Sequence, residues 1–127
     1  MELFTNGDKV NFVDENNVFV GYDLGSRCCE HAGWCVLLNE DDFEKLTSLD
    51  VLSQPTNFDG WQFDITYQRS IEKDLDDIDD KDVFAVQFRM TKENKEQFLI
   101  LFNAHNGYYD HGFVVKNEDE VIHKGRL

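Results

Sequence analysis

Cys28, Cys29, Glu30 and His31, with Cys35 close behind, place three thiols and an imidazole within eight positions. A second cluster follows at His105, Asn106, Gly107, Tyr108, Tyr109, Asp110, His111 and Gly112. Between them the two clusters hold all three cysteines and three of the four histidines. Thiolate and imidazole are the side chains that ligate transition metals and act as nucleophile and base, so a site is sought here first.

Three chemistries compete for these residues. Structural zinc takes four ligands, usually as two chelating pairs. Cys29, Cys35, His105 and His111 form a candidate set, and zinc is the cofactor such a set would hold. The spacing permits this without dictating it, because neither C-x-x-C nor H-E-x-x-H occurs. A small-ligand pocket would draw on Cys28, Cys29, Glu30, His31, Tyr109 and His111, where aromatic faces and polar tips stand together. A Cys-dependent enzyme would use Cys28 or Cys29 as nucleophile, a histidine as base and Asp110 to orient it. Acidic surroundings raise a thiol pKa, and Arg27 is the only nearby cation, which weighs against an enzyme. Against all three stands packing. Free cysteine behaves as a small hydrophobe, and Cys35, followed by Val36, Leu37 and Leu38, fits a buried strand.

Charge makes the second strong statement. Twenty-six acids against twelve Lys and Arg give a net charge of −14. That opposes direct binding to nucleic acid or anionic membranes and favours a basic protein partner. Asp74, Asp76, Asp77, Asp79, Asp80 and Asp82 form the densest acidic run and a candidate interaction surface. It lacks the glycine and the twelfth-position glutamate of an EF-hand. In one extended strand Asp74, Asp76, Asp80 and Asp82 would share a face, with neighbours about 6.7 Å apart, a charge density like that of a nucleic-acid strand. The leading functional expectation is therefore a non-enzymatic acidic protein acting through a protein partner, as an inhibitor or nucleic-acid mimic. The metal- or ligand-binding domain and the Cys-dependent enzyme are its alternatives.

The elements that must position these residues are mostly strands. Val10 and Phe12, then Val18, Val20 and Tyr22, alternate about a turn at Glu15, Asn16 and Asn17. Residues 32–38 read as a buried strand. Trp61, Phe63, Ile65 and Tyr67 alternate with polar residues, as in a half-buried strand. Phe84, Val86, Phe88 and Met90 share one face of the next strand, which turns at 91–95 into 98–102 as a hairpin. A last pair, 112–116 and 120–123, closes at Asn117, Glu118 and Asp119. Apolar spacing suits a short helix over 42–49, and a short helix or an acidic loop from Ile71 to Ile78. The expected fold is one mainly β domain spanning 1–127, with α+β as the variant, an antiparallel sandwich or strongly curved sheet carrying one or two short helices. With 41% hydrophobic residues, eleven of them phenylalanine, a substantial core is expected. The opening residues lack a basic, then apolar, leader, no run is long enough to span a bilayer, and the cysteine count is odd. These point to the cytoplasm.

Residues 18–34, where Val18, Phe19, Val20, Gly21 and Tyr22 run into Cys28, Cys29 and Glu30, resemble a motif of small uncharacterised bacterial and phage proteins. Gly107, Tyr108, Tyr109, Asp110, His111 and Gly112 match its Gly-Tyr-Tyr-x-His-Gly companion. The resemblance carries no activity and no residue roles. It implies that the two segments contribute to one site.

Overall fold

The computed structural model describes residues 1–25, 31–46, 49, 52–74, 82–105 and 111–127. Their strands, in chain order, are β1 (Glu2–Asn6), β2 (Lys9–Val13), β3 (Val18–Asp23), β4 (His31–Leu37), β5 (Gln62–Asp74), β6 (Asp82–Lys92), β7 (Lys95–His105), β8 (Gly112–Asn117) and β9 (Glu120–Arg126). They form two antiparallel sheets, ordered β1-β2-β3-β8-β9 and β4-β7-β6-β5. The mainly β, sandwich-like class expected from the alternation is the class observed, and the sheets do not close into a barrel.

Period-two alternation gives each sheet an apolar inner face. Val10, Phe12, Val20, Tyr22, Phe113 and Val115 of the first sheet share a core with Trp34, Val36, Val86, Phe88, Met90, Leu99 and Leu101 of the second. Phe12 meets Trp34 edge-on, with ring centroids 5.2 Å apart. The second sheet is apolar on its other face too. There Cys35, Val83, Ala85, Phe98, Ile100 and Phe102 pack beneath Phe43 and Leu49. Burial on both faces explains why Phe98, Leu99, Ile100, Leu101 and Phe102 form an unbroken apolar run.

No helix forms among the described residues, which corrects the expectation of one or two. Over 39–46 the chain makes successive turns, with Lys45 N–H donating to Asp41 O and Leu46 N–H to Phe43 O. Lys73 Nζ donates to the carbonyls of Phe43, Glu44 and Leu46, acceptors that a continuing helix would need. The apolar spacing of Phe43, Leu46 and Leu49 serves packing onto the sheet. Gln87 reinforces the strap by donating from Nε2 to Glu40 O. Arg69 adds ion pairs to Asp41 and Glu44. The second predicted helix begins at Ile71, which is a strand residue of β5, and its remainder lies outside the described residues.

Two further features escaped the alternation. β1 pairs with β2 through a turn at Asn6, Gly7, Asp8 and Lys9, where Gly7 holds φ +62°. Glycine tolerates that left-handed conformation, and Asn-Gly is a hairpin signal. In β5 the register slips between Asp64 and Gln68, so the alternation from Trp61 to Tyr67 is not that of one regular strand. Phe63 faces the sandwich core while Tyr67 packs on the opposite face.

Candidate functional site

Strand registers place the flanks of three segments at one end of the sandwich. His31 of β4 pairs with Ala104, Asp82 of β6 pairs with His105 of β7, and Asp74 of β5 pairs with Asp82. His31, His105, Asp82 and Asp74 thus lie along one end of the second sheet. Asp23, His111 and Leu127 lie at the same end of the first sheet. Hydrogen bonds across the gap fix this: Tyr22 Oη donates to Phe102 O over 2.7 Å, and Asn103 Nδ2 donates to Leu127 O over 3.1 Å. The segments 26–30, 75–81 and 106–110 all attach to this end. Cys28, Cys29, Glu30, Tyr109, Asp76, Asp77, Asp79 and Asp80 belong to them and lie outside the described residues.

His111 is buried, at 4% exposure. Its backbone N–H and carbonyl both pair with Leu127, and its Nδ1 lies 2.5 Å from Asp23 O. A carbonyl can only accept, so Nδ1 is the donor in this contact. His31 is exposed, with its ring centroid 6.0 Å from that of Phe102.

Cys35 is placed apart. It sits fully buried in the core beneath the strap, and desolvation pushes its thiol up to about 12. His111 belongs to the other side of the second sheet, against Tyr22. The structure therefore does not bring Cys35 to His111, because strand parity turns the thiol to the opposite face. Among the described residues no group of three or more His, Cys, Asp and Glu could hold a metal ion.

Asp74 and Asp82 are not successive same-face residues of one extended strand. The chain reverses between them, and they stand opposite each other across β5 and β6. A hydrogen bond to Asp82, and repulsion by its charge, hold the Asp74 carboxyl above the usual carboxylate range. Neither makes an ion pair among the described residues, since Lys73 is turned to the strap carbonyls.

Sequence reading passed over two concavities. One, of about 350 Å³, opens between the sheets beside Phe63, Gln68, Ile122 and His123. The other, of about 610 Å³, lies on the outer face of the first sheet and is lined by Lys9, Asn11, Gly21, Lys116, Lys124 and Arg126, among others. No local motif marks either. Only the strand registers, read across the whole chain, assemble them.

The fold is thus that of a two-sheet antiparallel β protein in which the strand ends flanking 26–30, 75–81 and 106–110 lie at one end. Among known proteins the chain matches no family model, no curated sequence and no solved structure. No helix among the described residues is long and apolar enough to cross a membrane.

Proposed function

We infer that the chain is a non-enzymatic binding protein that holds a basic protein partner at the segment-bearing end of its sandwich. The observation that carries this reading is the facing pair Asp74 and Asp82. Like charges directly opposite on neighbouring strands are unfavourable, and a lysine or arginine from a partner would relieve them. The acidic residues of 75–81 join the same two strand ends and would extend the surface. An inhibitor that occupies the basic groove of a nucleic-acid-binding protein is the form of activity this charge suits.

Titration with a lysine- and arginine-rich peptide tests the reading. Affinity should fall steeply between about 50 and about 200 mM salt, as screening of exposed charge requires. Asp74→Asn with Asp82→Asn should weaken binding several-fold more than Glu118→Gln with Glu120→Gln at the far end. Equal effects at the two ends would reduce the interaction to net charge and refute the reading.

A second reading is favoured by the attachment of 26–30 and 106–110 to neighbouring strand ends. It makes Cys28, Cys29, His31, Tyr109 and His111 one pocket for zinc or a small ligand. A native mass spectrum taken before and after chelator distinguishes it by a stoichiometric mass increment.

A further inference from the structure

The outer face of the first sheet reverses the character of the chain. Of the twelve Lys and Arg in a chain of net charge −14, four line one concavity, Lys9, Lys116, Lys124 and Arg126. Asp23 is the one carboxylate among its lining residues, and it is engaged by the N–H of Gly25. Among the described residues, Lys9, Lys116 and Lys124 make no ion pair, whereas Arg69 and Arg89 do. Lys116 Nζ lies 5.5 Å from the centroid of Phe19, which also lines the concavity.

The registers explain the shape. Asn11 pairs with Gly21, Gly21 with Val114 and Val114 with Lys124, so these four cross the sheet in one row. Gly21 leaves the middle of that row without a side chain. A Cβ there would come within 2.7 Å of the Phe19 ring and 2.9 Å of Asn11 Oδ1. Lys9 on β2 and Arg126 on β9 stand three strand spacings apart, about 14 Å, with the glycine-floored hollow between them. In that hollow Asn11 is only 6% exposed, and its carboxamide has no hydrogen-bond partner among the described residues.

We propose that this concavity binds a small polyphosphate-bearing molecule, of the size of a nucleoside diphosphate. Its volume of about 610 Å³ suits a small-molecule site. The spread lysines suit two or more phosphate charges, Asn11 offers a donor and an acceptor from the floor, and Phe19 with Val114 offers apolar surface. A long polyanion is excluded by the same charge distribution. Any strand reaching beyond the patch by a Debye length, about 8 Å, meets the strongly acidic remainder of the molecule.

Calorimetric titration of the whole chain with pyrophosphate, with ADP and with a short oligothymidylate, as separate probes, tests this. One-to-one binding of pyrophosphate or ADP is expected, with amide shifts centred on Asn11, Gly21, Val114 and Lys124. Lys116→Glu with Lys124→Glu should weaken it about tenfold or more, equivalent to about 1.4 kcal/mol. Asp74→Asn with Asp82→Asn, which tests the partner surface described above, should leave it intact. Tighter binding of ADP assigns a nucleotide, and equal binding assigns the polyphosphate group alone. Absence of binding by both at millimolar concentration would overturn the proposal. So would tighter binding of the oligothymidylate, shifts elsewhere on the molecule, or unchanged affinity in a folded Lys116→Glu, Lys124→Glu chain.

Discussion

Asp14 is 4% exposed, yet both its carboxylate oxygens are engaged. Oδ1 accepts from the backbone N–H of Asn16 and Val18, closing the β2–β3 turn, and Oδ2 accepts from the N–H of Phe63 at the start of β5. One side chain therefore ties a hairpin of the first sheet to a strand of the second. Asp14→Ala should lower unfolding stability by about 3 kcal/mol in denaturant titrations, because it strands buried donors. An effect below about 1 kcal/mol would show that water replaces the carboxylate. Nothing around Asp14 marks this role in the sequence, since Phe63 is 49 positions away. The histidines and cysteines show the converse. Their types drew attention at once, but which face each would take depended on strand parity, and parity sent Cys35 into a separate core.

At the scale of elements, alternation and turn residues made β2 to β9 legible as extended segments, except for the end of β5 from Ile71 to Asp74. β1 is short and mostly exposed, so its pattern was weak. The helix expected over 42–49 failed for a tertiary reason: the strap is fastened by Lys73, Arg69 and Gln87, which lie 25 to 47 positions from their acceptors. The slip in β5 was equally hidden, because Trp61, Phe63, Ile65 and Tyr67 alternate straight through it. At that slip Asp64 accepts from Thr66 Oγ1 and from Arg89, over 2.5 and 2.6 Å, and these bonds hold its carboxyl below the usual range. A carboxyl depressed in the folded state stabilises the fold above its unfolded pKa, near pH 4, and loses that contribution as pH falls through the lower folded value. Asp64→Asn should therefore flatten the acid limb of a stability-against-pH curve below about pH 4. An unchanged acid limb would show that the Asp64–Arg89 pair adds nothing there. Asp74, raised by Asp82, has the opposite sign, since acid removes its repulsion.

For the whole molecule, a net charge of −14 is an average over unlike surfaces. Strand pairing gathers Lys9, Lys116, Lys124 and Arg126 on one face, and antiparallel pairing sets Asp74 against Asp82 at one end. Neither arrangement is visible in composition. The first draws on residues 117 positions apart, Lys9 and Arg126, and exists only once β2, β3, β8 and β9 lie side by side. What composition did convey, a polyanionic surface, bears most directly on the proposed partner site beside Asp74 and Asp82. The decisive measurement is an amide chemical-shift map of the intact chain titrated with a lysine- and arginine-rich peptide. Shifts concentrated at His31, Asp74, Asp82 and His105 are the predicted result. Shifts spread evenly over the acidic turns, including Glu118 to Glu120, would contradict a dedicated partner site at that end.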